Sequence, residues 1–479
     1  MLISSKEKII KDYDVIVIGG GLAGLTLANK MGRDGRSVLL LESHNKLGGL
    51  ATWFKRKEGQ HIFDVSLHGF PVGMIKTCRK YWTKEIADRI HQLKSVRFIN
   101  PQFEIDTDFT KEDYINVLVE KFGLTRESVE NFFLELAQMN FYDQNQMKNS
   151  ELFEKHFPKR NDVVRFLLEP IVYANGSNLD DPAISYGIVF SNFMSKGVYI
   201  FQGGTDLMIS LMREEMVKNG VDIRLHSKVE KILVENNKVV GVELKDQKVF
   251  SKAVVSNANL NTTIFKMIGE EKFSKGFIDA AKKVRLNTSS CQVYMGLKKG
   301  ESIPFVGDLI FTSESDSFST EEILSPKVFS QTFSIYYPEM RPQNPDSFAI
   351  VSSSNAKYMD YANLSEEEYQ KQKEFLIEKA ISGFEKIIPE IRSKIDFVEA
   401  ATPKTFKRYT HHEEGASFGT KFEGLSISMD LPKEIRGLYH AGSVGIIMSG
   451  WLGAANYGVI VAHDVDNYLT KLEKEISHE

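Results

Sequence analysis

The stretch DVIVIGGGLAGLTLANKMGRDGRSVLLLE, running from Asp14 to Glu42, decides the fold. Asp14 to Ile18 is a short apolar run rich in β-branched residues, and Gly19-Gly20-Gly21-Leu22-Ala23-Gly24 follows at once as G-x-G-x-x-G. Leu25, Leu27, Ala28 and Met31 then recur at helical spacing as far as Gly35, and Ser37 to Leu41 reads as a second buried strand closed by Glu42. The pattern predicts one complete βαβ unit. In such a unit Gly19 permits the tight turn, Gly21 lets backbone N–H groups approach a pyrophosphate, and Gly24 brings helix against strand. The helix N-terminus adds partial positive charge. Glu42 lies 18 residues past Gly24, where its carboxylate can accept both hydroxyls of an adenosine ribose. A dinucleotide is the expected ligand.

Length and composition bound the remainder. A chain of 479 residues has room for about three units of ~150 residues, or for two large interleaved ones. An apolar share of 42% and a charged share of 26% exclude disorder and fibrous architectures, and 32 Phe with 17 Tyr supply bulky surface for a core or a lipophilic cavity. Lys and Arg number 60 against 64 Asp and Glu, so the formal charge of -4 gives no pull on phosphate backbones and argues against a nucleic-acid partner. Cys78 and Cys291 are too few for a secreted framework or a Cys-ligated metal site, which points to a reducing, cytoplasmic compartment. No apolar stretch of signal-peptide length precedes Asp14. Ala441 to Val461 is free of charge, but its glycines and Asn456 suit a loop and helix beside a ligand better than a membrane span. Met74 to Ile86 sets Ile75, Cys78, Tyr81 and Trp82 against Lys76, Arg79, Lys80 and Lys84, a pattern that suits either a helix packed on the fold or one lying on a membrane surface.

Beyond Glu42 come Lys46-Leu47-Gly48-Gly49-Leu50-Ala51-Thr52 and then Phe63-Asp64-Val65-Ser66-Leu67-His68. The double glycine closely after the ribose-binding acid resembles the extended adenylate and pyrophosphate motif of the flavin amine oxidase and phytoene desaturase superfamily, in which the dinucleotide is FAD. The resemblance resumes at GVYIFQGG, Gly197 to Gly204, with a predicted helix over Leu207 to Val217. Predicted strands follow over Val221 to Leu225, Val229 to Glu235, Val239 to Leu244 and Ala253 to Asn257. Val229 takes the position that touches adenine through its backbone in that family. A third block comprises Gly437-Leu438-Tyr439-His440-Ala441-Gly442 and Gly450-Trp451-Leu452-Gly453-Ala454, while Ala401-Thr402-Pro403 and Gly415 to Gly419 resemble carotenoid isomerases and retinol saturases. Two positions depart from the pattern. Leu50 stands where many members carry arginine, leaving Lys46 to supply positive charge, and Ser443 stands where an acid is frequent.

The resemblance implies an α/β protein with a discontinuous Rossmann-type FAD-binding domain, glutathione reductase-like, carrying an inserted α+β substrate domain. The expected division gives residues 1–99, 197–259 and 423–479 to the FAD domain and 100–196 and 260–422 to the substrate domain. Cofactor contacts are expected at Gly19, Gly21, Leu22, Ala23, Gly24, Glu42, Ser43, Lys46, Gly48, Gly49, Leu50, Val229, Asn257, Gly442, Ser443, Gly453 and Ala454. His68 is the one candidate catalytic side chain, because family members place this stretch beside the flavin. No metal is expected, since the adjacent His411 and His412 point apart on most backbones. The implied activity is FAD-dependent oxidoreduction of a carbon-carbon bond in an apolar isoprenoid or polyene, such as a carotenoid or retinoid. Desaturation, saturation and isomerisation all use the same ring and stay open, as does the redox partner. An amine-oxidase-like enzyme working on a C–N bond and a non-catalytic flavin-binding protein are the alternatives. A polyene must be fetched from lipid, so peripheral membrane contact is expected too. Insertions rich in Phe, Tyr and Met imply an elongated apolar cavity ending near Trp451 and Gly453.

Overall fold

Three sequence-distant segments meet in one seven-stranded sheet. In the computed structural model, which describes residues 9, 12–66, 68–139, 147–194, 196–345, 348–445 and 447–477, strands Asp222–Arg224, Val38–Leu41, Tyr13–Ile18 and Lys248–Ser256 lie side by side and parallel. Leu438–His440 adds to Lys248–Ser256 in the same direction, with Val254 opposite Leu438. Lys238–Leu244 and Val229–Glu235 extend the sheet antiparallel. Val15 to Leu41 supplies unbroken apolar strands because the parallel strands are buried on both faces, and Val15, Ile16, Val17, Leu39 and Leu40 are all fully buried. The helix Leu22–Arg33 leaves the first strand at Gly21, and the C-terminal helix Gly450–Ser477 packs against it. The fold is thus the expected discontinuous α/β arrangement.

A second seven-stranded sheet carries the inserted chain. Its order is Ile395–Ala401, Ser289–Leu297, Ala349–Ala356, Ser330–Tyr336, Leu309–Ser313, Val96–Asn100 and Phe103–Thr107. One face is apolar: Val293, Met295, Ile310, Phe333, Ile335 and Ile350 share a core with Leu376, Ala380 and Phe384 of the helix Glu366–Glu385. Val96–Asn100 belongs to this second sheet, so the sheet begins a few residues ahead of the division expected at residue 100. Among the described residues the segment 100–196 is helical as read, through Lys111–Glu120, Arg126–Gln138, Asn149–His156, Asn161–Asn175 and Ala183–Met194, after the strand Phe103–Thr107.

The two ambiguous segments resolve clearly. Met74 to Ile86 forms two helices, Gly73–Tyr81 and Lys84–Asp88, the second capped by the Thr83 hydroxyl accepting from Ile86 N at 3.2 Å. Met74, Cys78, Trp82 and Ile86 are buried in the main core, and Lys76, Arg79 and Lys80 face solvent, so this segment spends its apolar side on packing. The charge-free stretch from Ala441 splits into a loop and the start of the helix Gly450–Ser477, and no helix among the described residues is long and apolar enough to cross a membrane.

Candidate active site

The dinucleotide turn is built as its sequence requires. Gly19 N donates to Leu41 O at 2.8 Å, tying the turn to the second strand, and Gly21 caps the helix Leu22–Arg33 with no side chain over its free N–H groups. A Cβ at Gly24 would collide with the Gly19 carbonyl oxygen, which is why helix and strand approach so closely only there. The double-glycine loop docks directly on this turn: Gly48 N donates to Gly20 O at 2.7 Å, and Gly48 bridges Gly21 in parallel. Glu42 is clamped by the same backbone. Its Oε2 accepts from Gly20 N at 2.7 Å, and its Oε1 accepts from His44 N at 2.7 Å and from Ser43 Oγ at 3.2 Å. A carboxylate has about four acceptor sites, so capacity for ribose hydroxyls remains.

Asn257 staples the three segments together. Its N–H donates to Ile18 O at 2.7 Å, its Nδ2 to Ala441 O at 2.9 Å, and its Oδ1, unpartnered among the described residues, lies where a Cβ on Gly21 would be only 2.7 Å away. The Gly19–Gly21 turn, Glu42, Gly48 and Asn257 border one cavity of about 940 Å³. Every cofactor position read from the sequence lines it except Gly24 and Gly442, which stand behind the wall. Gly442 is confined there because a Cβ would lie 2.7 Å from the His440 ring. Lys46 lines the cavity beside Leu50, and its ammonium donates to Trp53 O at 2.9 Å while lying 5.1 Å from the Trp53 ring. Burial, then Lys55 and Arg56, lower its pKa.

The opposite end of the cavity passes between the helical insertion and the second sheet. Phe109, Ile171, Val189, Phe193, Leu309 and Phe311 form an apolar wall there, drawn from both insertions, and Trp451 and Gly453 lie on the same cavity. The sheet face beside it was not anticipated. Ser290, Gln292 and Tyr294 alternate on one strand, register with Asn355, Ser353 and Val351 on the next, and continue to Thr332 and Ser334. His68 sits on this polar face. Gln292 Nε2 donates to His68 Nε2 at 3.1 Å, the Tyr294 hydroxyl donates to Gln292 Oε1, and Ser353 Oγ is 3.4 Å from the same ring nitrogen. Since Gln292 Nε2 carries only donors, His68 Nε2 accepts and Nδ1–H donates to Ser334 Oγ at 2.8 Å. Burial pushes His68 down to about 4, so the ring is neutral near pH 7.

One ion pair lies on the cavity wall. Arg56 forks onto Glu399 at 2.7 and 3.0 Å. His412 Nδ1–H donates to Ala416 O at 2.9 Å, and no group of three or more His, Cys, Asp or Glu among the described residues is placed to hold a metal ion.

Residues 22–390 match the family described as flavin containing amine oxidoreductase. The chain belongs to that family. Among curated proteins it is similar to a chloroplastic prolycopene isomerase of Daucus carota, 25% identical over 95% of this chain and 80% of that protein. It is also similar to an all-trans-retinol 13,14-reductase of Danio rerio, 21% identical over 94% of this chain and 85% of that protein. Among solved structures, an oxidoreductase from Methanosarcina mazei shares the fold at a TM-score of 0.65 and 16% identity, covering 94% of this chain and 99% of that one. A putrescine oxidase bound to putrescine does so at a TM-score of 0.65 and 11% identity over 98% and 100%. The flavin oxidoreductase assigned here uses FAD, and the narrow backbone cradle at Gly21, the clamped carboxylate of Glu42 and the docked Gly48 loop fit that cofactor.

Proposed function

We propose that this flavin oxidoreductase acts on a carbon-carbon bond of an isoprenoid or polyene lipid. One observation carries the reading: the glycine cradle and the apolar wall of Phe109, Ile171, Val189, Phe193, Leu309 and Phe311 belong to a single cavity, so a long apolar molecule can lie against whatever the cradle holds. The curated relatives that carry polyene names agree with it.

In this reading Glu42 takes the adenosine ribose, and the N–H groups from Gly21 to Ala23, with Gly48 and Gly49, face the pyrophosphate. Val229 contacts adenine, and Asn257, Ser443, Gly453 and Ala454 line the remainder of the cofactor's path. The division into an FAD lobe (1–99, 197–259, 423–479) and a substrate lobe (100–196, 260–422) is part of the same proposal. When bound, the flavin supplies hydride acceptance or donation. The chain's residues position the lipid, exclude water along the phenylalanine wall, and hold the His68 proton on Nδ1 through Ser334. An enzyme that draws such a substrate needs contact with a lipid surface, which the reading therefore includes.

The test incubates oxidised and reduced holoenzyme separately with phytoene-like, carotene-like and retinol-like lipids, following their absorption spectra. Product from oxidised enzyme alone means desaturation, stoichiometric consumption of reduced flavin means saturation, and turnover without net flavin oxidation means isomerisation. No change in any lipid, together with flavin reduction by an amine, would overturn the proposal.

A further inference from the structure

The inserted chain reaches round to the dinucleotide end of the cavity. There His44 N donates to the Glu42 carboxylate, and Ser227 N donates to Glu42 O at 2.8 Å, which brings Lys228 beside the same turn. Facing His44 stands Tyr409, from the helix Pro403–Thr410, with its ring 6.2 Å from the imidazole and edge-on at 79°. Asn45, Lys228, Tyr409 and His411 all line the cavity and all are exposed, so the cavity opens to solvent beside Glu42. One side of that mouth therefore comes from residues 260–422, which the sequence pattern assigns to a substrate lobe.

Charge at the mouth is one-sided. The Asp, Glu, Lys and Arg residues lining the cavity are Glu42, Lys46, Arg56, Lys228 and Glu399. Arg56 and Glu399 neutralise each other, and the Glu42 carboxylate is taken up by Gly20 N, His44 N and Ser43 Oγ. Lys46 and Lys228 have no ion pair among the described residues, and neither has Arg408, whose guanidinium lies 5.5 Å from the Tyr409 ring. Glu230 and Glu414, the unpaired acids nearest to them along the chain, do not line the cavity. The same field reaches the neighbouring side chains. Burial lowers the His44 pKa against the pull of Glu42, with Lys46, His226 and His411 adding to the fall, and Lys46 is lowered by burial and then by Lys55 and Arg56. Like charges gathered without a counter-charge repel, and an anion placed among them relieves the repulsion. The pyrophosphate of FAD is a dianion, which the unpaired lysines of the cavity, Lys46 and Lys228, match in charge.

We propose that this mouth is the loading port for FAD: Lys228 and Arg408 steer the dianion to the Glu42 end, Lys46 receives it, and the helix Pro403–Thr410 of the inserted chain forms the outer rim. The inference rests on the placement of the adenosine ribose at Glu42 and is independent of the lipid proposed as substrate. Cations that face solvent act on encounter more than on release, because they attract the ligand before any contact forms. Such steering speeds association by roughly 10–10³-fold at low salt, and the gain fades as the Debye length shrinks to about 3–4 Å.

The test starts from holoenzyme. Dilution to equilibrium gives Kd from the rise in free FAD fluorescence, and replacement by an excess of a spectrally distinct deazaflavin dinucleotide gives the dissociation rate. Their quotient gives the association rate. In the unsubstituted protein that rate should fall at least about tenfold between about 20 mM and about 500 mM salt. Lys228→Gln combined with Arg408→Gln should lower it about fivefold or more at low salt, meet the unsubstituted value at high salt, and leave dissociation within about twofold. Lys228→Arg should keep the unsubstituted rate. An association rate indifferent to salt, one unmoved by the double substitution, or a deficit that persists at high salt would overturn the port. An FAD affinity unchanged by Glu42→Ala would instead overturn the placement of the ribose. The salt series on the unsubstituted protein decides even where a variant fails to fold.

Discussion

Gln292 Nε2 donates to His68 Nε2 at 3.1 Å, a contact that joins the inserted sheet to the loop following the strand His61–Asp64. It fixes the imidazole tautomer, because the remaining ring proton must sit on Nδ1 and go to Ser334. A second buried imidazole is fixed in the opposite sense: His440 Nε2–H donates to Ala258 O at 2.9 Å, and Nδ1 meets Ser428 Oγ at 2.7 Å. Both rings are therefore neutral parts of the architecture.

The pH dependence of stability follows. Burial holds both His68 and His440 at about 4, below the ordinary imidazole value of 6.5. Between those values the unfolded chain binds protons that the folded chain does not. Stability present above pH ~6.5 is thus lost as the pH falls toward ~4, by up to about 1.4 kcal/mol per pH unit for each ring. Thermal denaturation across that range should show a falling Tm, and His68→Gln should make the fall shallower. An unchanged slope in that variant would contradict the neutral assignment.

Glu42→Ala should weaken FAD binding by about 1–3 kcal/mol, the cost of losing a charged acceptor. Titration of apoprotein with FAD measures this directly. Release of FMN from the native protein on heating, or an unchanged affinity in the variant, would show that Glu42 does not serve an adenosine ribose.

Arg341 gathers two carboxylates distant in sequence, with Nη2 2.6 Å from Asp64 and Nη1 2.5 Å from Asp206. Asp64 also accepts from Thr205 N at 2.7 Å, at the start of the helix Gly204–Lys218. Arg341→Met leaves both carboxylates without their cation and should cost about 3–5 kcal/mol. Urea unfolding of holoprotein should show the loss, and a change under about 1 kcal/mol, the worth of a surface pair, would contradict it.

The glycine-lined half of this cavity could be read from sequence because its backbone geometry demands particular residues. No side chain fits at Gly24, and few fit where the Gly48 loop crosses Gly21, so the glycines mark the place. The polar wall carries a weaker mark. Ser290-x-Gln292-x-Tyr294, Thr332-x-Ser334 and Ser353-x-Asn355 each alternate with a period of two, but their shared face is fixed only by the register of three strands. Arg56 and Glu399 are separated by 343 residues, and neither stands in a motif, so their pairing had no sequence signal. The helical segment Met74 to Ile86 was open between core and membrane because amphipathicity alone does not say what covers the apolar side.

Val189→Arg should abolish turnover of a polyene while FAD stays bound, because Val189 lines the apolar wall and is only half-buried, which lets the fold tolerate the longer side chain. Flavin content after gel filtration and product formation, measured on the same sample, separate the two effects. Loss of FAD in step with activity would place Val189 in the cofactor's site instead.

The central claim is that one cavity presents a polyene to the flavin, and anaerobic mixing tests it most directly. Holoenzyme, in oxidised and in reduced form, is mixed with a polyene lipid or with a diamine while the flavin and polyene absorption bands are recorded together. The expected result is a change in the polyene spectrum with at least one redox form and an unreacted flavin in the presence of the diamine. Bleaching of the oxidised flavin by the diamine, with every polyene spectrum unchanged, would contradict the account.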